Sequence, residues 1–80
     1  MTTATATEAR TNVKEITTPI EQVVRDRLSG WVHDFHVVVR ERGIVLMGST
    51  RSYYARQLVQ HAALSASLLP LLANEIRVEQ

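Results

Sequence analysis

The run His36-Val37-Val38-Val39-Arg40-Glu41-Arg42-Gly43-Ile44-Val45-Leu46-Met47-Gly48 reads as a β-hairpin. Two stretches of β-branched and other apolar residues flank the polar triplet Glu41-Arg42-Gly43, and glycine at the end of such a loop supplies the positive φ of a tight reversal. Alternation then sorts the side chains. Phe35, Val37, Val39, Ile44 and Leu46 share one face, whereas His36, Val38, Arg40, Val45 and Met47 share the other. The second face is unusually apolar for a side that an antiparallel sheet often leaves to water.

Upstream, Thr18-Pro19-Ile20-Glu21 has the form of a capping box: the threonine hydroxyl accepts from the backbone at Glu21, and proline sits in the first turn, where no donor is needed. A helix is expected from this point. Ile20, Val23, Val24, Leu28 and Trp31 recur at helical spacing, with Glu21, Arg25 and Asp26 turned away. Gly30 suits the left-handed residue past the helix end. Ahead of this helix, Met1 to Thr17 is rich in threonine (Thr2, Thr3, Thr5, Thr7, Thr11, Thr17) and lacks apolar periodicity. It is expected to be a flexible tail of residues 1–17 preceding a domain of residues 18–80.

Downstream, Gly48-Ser49-Thr50-Arg51 ends the second strand, and Ser52 is the expected N-cap of a second helix. Ala55, Leu58, Val59, Ala62 and Ala66 form its narrow apolar stripe, with Arg56, Gln57 and Gln60 solvated. Pro70 forbids continuation, so this helix is expected to stop near Leu68 or Leu69. Leu72-Ala73-Asn74-Glu75-Ile76-Arg77-Val78 alternates as a third strand, with Leu72 and Ile76 inward and Ala73 outward. The expected fold is α+β in the order αββαβ, two helices packed on one face of a three-stranded sheet.

Composition limits the function. Eighty residues, 45% of them hydrophobic, build one small core with little room for an enclosed cleft. The absence of cysteine removes disulfides, thiolate nucleophiles and thiolate metal sites. Nine basic against eight acidic residues give a net charge of +1, far from the concentrated basic field of a nucleic-acid binder. No secretory signal stands at the N-terminus, and no apolar run approaches a membrane span, so the expected location is cytoplasmic, or periplasmic for a fragment of a longer chain.

Chemical constellations are few. His33-Asp34-x-His36 offers three metal donors, but an extended chain points successive side chains to opposite faces, so the two histidines need a bend to converge. Solvated histidines are the simpler reading, and His61, without a sequence neighbour to work with, is a helix-surface residue. Tyr53 and Tyr54 lack a base or carboxylate at a recognisable spacing and read as packing residues at the helix start. Phosphate-loop and nucleophile-elbow patterns are missing. An αββαβ order is shared with the KH family of RNA binders, but its GxxG loop is absent. The expectation is a non-enzyme without a cofactor.

Three stretches carry a family resemblance: Ile44-x-Leu46-x-Gly48, then Ser52-Tyr53-Tyr54 followed by Arg56-Gln57-Leu58, and the closing Leu72-x-Asn74-x-Ile76-x-Val78. Over Pro19 to Val78 the chain resembles the BON domain, a family named for bacterial osmotic-shock and nodulation proteins. It departs from that pattern at Arg42, where the family usually has glycine, and at Leu68-Leu69, where the family usually has Gly-Val. The resemblance implies a binding module associated with phospholipid or envelope partners. Two surfaces follow as candidates. The amides opening the second helix, with Arg51, Ser52 and Arg56, form a candidate anion site. Val38, Val45, Met47 and Ala73, bordered by His36, Arg40, Glu75 and Arg77, form a candidate face for a homodimer or protein partner.

Overall fold

A computed structural model describes the backbone of residues 2–79 and the side chains from residue 13 to residue 79. Helix α1 (Thr2–Leu28) leads into the antiparallel strands β1 (Val32–Arg40) and β2 (Gly43–Thr50). Helix α2 (Tyr53–Ser65) then carries the chain back to β3 (Leu71–Asn74) and β4 (Arg77–Val78). The sheet order is β1-β2-β3, and β4 also pairs with β2, parallel as β3 does. The architecture is α+β, with one small addition to the expected three strands: the third is split in two. β2 is therefore the central strand, bonded along both edges.

Both helices cover the face that alternation assigned to the core. Ile20 and Val24 of α1, Val37, Ile44 and Leu46 of the hairpin, Val59 and Ala63 of α2 and Ile76 form one buried cluster, with Phe35, Val39 and Leu71 packed against it. Each fully buried aliphatic side chain contributes about 1.5–3 kcal/mol of transfer free energy. The small residues of α2 let it lie close to the sheet: Ala55, Ala62 and Ala63 are all buried. Its start is as expected, for the Ser52 hydroxyl accepts from Ala55 N at 3.0 Å.

Several expectations are corrected. α1 does not begin at the Thr18 capping box but is already helical from Thr2, and Pro19 lies inside it. Proline removes the bond to the carbonyl of Glu15, yet Ile16 and Ile20 pack on the core on either side of it, and this burial sustains the helix through the break. Of the segment expected to be a tail, residues 1–12 lie outside the described side chains. α1 ends at Leu28 in an i→i+3 bond from Trp31 N to Leu28 O (2.9 Å) rather than in a left-handed Gly30. Trp31 stays 46% exposed, its ring edge-on to Tyr54 at 6.1 Å. Tyr53 and Tyr54, expected to pack, are both exposed.

α2 stops at Ser65, three to four residues before the expected end, because Ser67 draws the chain into a local turn. Its hydroxyl donates to Leu69 O and accepts from Leu69 N. The β1–β2 turn is the pair Glu41-Arg42, and Gly43, facing Arg40, is already strand. Gly43 has no positive φ. A Cβ there would collide with Pro70 O and come within 2.9 Å of Leu72 Cγ, so glycine is required for the close approach of β3.

Two bulges set the faces. Between His33↔Ser49 and His36↔Met47, Asp34 and Phe35 oppose the single Gly48. Asp34 adopts φ 55° and Gly48 φ 145°. In β3 the register passes from Ile44↔Leu71 to Val45↔Ala73, leaving Leu72 as the extra residue. Leu71 therefore joins the core, while Leu72, expected inside, lies 48% exposed on the outer face above Gly43.

Candidate functional site

The residues expected to bind an anion are not free together. Ser52 is engaged as the N-cap of α2. Arg56, expected to be solvated, is half-buried: its Nε donates to Ile76 O at 3.0 Å and its Nη2 to Asn74 O at 2.6 Å. The interruption between β3 and β4 exposes these carbonyls, and the planar fork of the guanidinium takes both. Asn74 completes the junction, accepting from Ile76 N and donating to Gln60 Oε1. Arg56 is thus a brace between α2 and the split strand, and Gln60 takes part in the same network. Of the three residues, Arg51 alone keeps its guanidinium exposed, without a hydrogen bond to a described residue.

Arg51 opens onto a different neighbourhood from the one expected. Arg51 lines a pocket of about 600 Å³ with His33, Ser49, Thr50 and Glu79. Strand pairing explains the gathering. His33 is in register with Ser49, and Ser49 with Arg77, so three adjacent strands present one row on the outer face. Arg51 and Glu79, two residues further along their strands, extend that row. Glu79 is held by its backbone N–H donating to Thr50 O at 2.7 Å, and its carboxylate lies 3.7 Å from Arg77. Both members of that ion pair are well exposed, which makes it weak and easily exchanged.

Ser49 is the unusual member. It is 8% exposed, yet its hydroxyl has no hydrogen-bond partner among the described residues. Among those residues no side-chain nitrogen or oxygen is both fully enclosed and unpartnered, so the Ser49 hydroxyl is reached through this pocket. A buried serine on an alternating strand carries no signal in a single sequence, and for that reason it was not among the expected site residues.

The outer face nearer the hairpin turn is apolar. Val38 pairs with Val45 and Val45 with Ala73, while His36 pairs with Met47. Val45 is 8% exposed because its strand neighbours flank it on both sides; Val38, Met47 and Ala73 are half-buried, and Leu72 adds its exposed side chain. The bend needed to bring His33 and His36 to one face does exist, in the bulge at Asp34, and His36 Nδ1 lies 3.1 Å from Asp34 O. Even so, no group of three or more His, Asp or Glu side chains among the described residues is arranged to hold a metal ion. His61 is exposed on α2. No helix among the described residues is long and apolar enough to cross a membrane. Compared with protein-family models, with curated proteins and with solved structures, the chain matches none.

Proposed function

We propose that this chain is a small non-catalytic module that binds an anionic, phosphate-bearing ligand, a phospholipid head group or a soluble phosphate ester, in the outer-face pocket at the end of β2. One observation carries the reading: Ser49, a residue only 8% exposed whose hydroxyl is open to solvent and without a hydrogen-bond partner among the described residues, lines the same pocket as the exposed Arg51 and His33. A hydroxyl donor and a permanent cation are what a phosphate oxygen needs, and a partly buried donor without a partner gains more from the contact than a solvated one. The resemblance of Pro19 to Val78 to the BON domain supports the same reading.

The test is a titration of vesicles containing phosphatidylglycerol against vesicles of phosphatidylcholine alone, following the backbone amides. Movement confined to Ser49, Thr50, Arg51 and Glu79, and lost in Arg51→Gln, is the expected result. Uniform movement, or none, would remove the proposal.

A second reading rests on the apolar half of the same face. Val38, Val45, Met47, Leu72 and Ala73 cluster on three strands with a rim of His36, Arg40 and Glu75, an apolar centre and polar border suited to homotypic or protein contact. A concentration series of sedimentation profiles tests it, because a dimer through this face dissociates on dilution and is abolished by Met47→Lys.

A further inference from the structure

The pocket at the end of β2 carries charge of both signs. His33 lies on β1, Ser49 and Arg51 on β2 and its continuation, and Glu79 follows β4. Crossing the sheet, the order is His33, then Ser49 and Arg51, then Glu79 with Arg77 beside it. A ligand with two or more negative charges would meet Arg51 favourably but be repelled by the Glu79 carboxylate on the opposite wall. A ligand with one negative and one positive end meets both walls favourably.

We infer that the preferred ligand is a phosphate carrying a primary amine on a short arm, the chemistry of phosphoethanolamine, whether free or as a lipid head group. This rests on the phosphate-binding reading above. The phosphate lies against Arg51 and the Ser49 hydroxyl, with His33 as a further hydrogen-bonding group, and the ammonium faces Glu79. β2 and β4 are adjacent strands, so Arg51 and Glu79 follow neighbouring strand ends. Admitting the amine displaces one weak ion pair. Arg77 holds Glu79 only through a 3.7 Å contact between two side chains that are 78% and 60% exposed, and a ligand ammonium can replace it. Ser49, a residue 8% exposed, offers a solvent-accessible hydroxyl without a partner among the described residues, and it lines this pocket.

The experiment compares three soluble probes, inorganic phosphate, glycerol 3-phosphate and O-phosphoethanolamine, by amide shifts of Ser49 to Arg51 and Glu79. Vesicles of phosphatidylcholine with and without phosphatidylethanolamine follow. Phosphoethanolamine is expected to bind about fivefold more tightly than glycerol 3-phosphate, the scale of one exposed charge pair. Glu79→Gln should erase that preference while leaving glycerol 3-phosphate binding intact or improved, and Arg51→Gln should weaken every probe. Equal affinities with Glu79 present, or a preference that survives Glu79→Gln, overturns the amine assignment and leaves the phosphate site standing. No response to any probe overturns both. A response to phosphatidylethanolamine vesicles well beyond that to free phosphoethanolamine identifies the lipid as the source, and the reverse identifies the soluble ester. Both substitutions are at exposed positions, and the amide spectrum itself reports whether the fold is retained.

Discussion

The two ends of the outer sheet face share β1 and β2, with β3 completing one end and β4 the other, and they have opposite character. Toward the hairpin turn, Val38, Val45 and Ala73 stand side by side with Leu72 and Met47, and the surface is apolar. Toward the far end the same rows become His33, Ser49 and Arg77, followed by Arg51 and Glu79. Between them lie the β1 bulge at Asp34 and Phe35 and the break between β3 and β4, both beside Gly48. The change of chemistry thus coincides with the place where regular pairing fails. The apolar end has its own bulge at Leu72 yet keeps β3 paired with β2, whereas at the break between β3 and β4 the Asn74 and Ile76 carbonyls turn to Arg56 instead of a strand.

The comparison breaks most visibly if inside and outside are wrong. Leu46→Ala, which removes a fully buried side chain, should cost about 2–5 kcal/mol in urea denaturation, while its neighbour Met47→Lys should stay within about 0.5 kcal/mol of the parent. If the lysine variant unfolds and the alanine variant does not, the two faces are exchanged. The two glycines of β2 sharpen the contrast next. Gly43→Ala brings a methyl group against Pro70 O and Leu72 at the closed end, and Gly48→Ala places a side chain at φ 145° beside the open one. Each should cost about 1–3 kcal/mol by thermal or urea unfolding, but only Gly48→Ala should also shift the amides of His33 and Arg51.

Arg56→Ala should cost a similar or slightly smaller amount, about 1–2 kcal/mol, by leaving the Asn74 and Ile76 carbonyls without their guanidinium. Hydrogen exchange should quicken at Glu75 to Val78 while phosphate affinity is unchanged, the opposite of what Arg51→Gln does. The smallest effect belongs to the N-terminal segment. Deleting residues 1–12 should alter unfolding free energy by less than about 1 kcal/mol, since a helical segment of that length is marginal by itself in water. Extending the deletion through Thr17 removes Ile16 from the core and should cost measurably more.

What could be read from the sequence follows from where its patterns are regular. Strict alternation in Val37 to Leu46 assigned the core of the hairpin, and the serine before a small-residue stripe located the start of α2. Periodicity could not register a bulge, so Leu72 was placed inside and Leu71 left without a role, although the two differ by one position. The capping box at Thr18 was chemically sound but was overridden by packing on both sides of Pro19. In the site, Arg51 was legible as a cation before a helix, yet the sequence could not show that Arg56 has carbonyls to hold or that Ser49 lacks a partner. Those facts depend on β4 returning alongside β2, a contact between residues almost thirty positions apart.

That return has a consequence for how the molecule comes into being. During synthesis the β1–β2 hairpin can close as soon as Thr50 has emerged, because its contacts are local. The second edge of β2 stays open until residues 71–78 have crossed over behind α2. Until then the carbonyls of Leu46 and Thr50, later bonded to Glu75 and Glu79, face water or whatever strand is nearest. A nascent chain paused in this interval offers an apolar ribbon with an unpaired margin, the form most prone to pairing with another copy of itself. The pocket proposed to bind phosphate, which Glu79 also lines, is completed by the same late step, so it forms only when the exposed edge is lost.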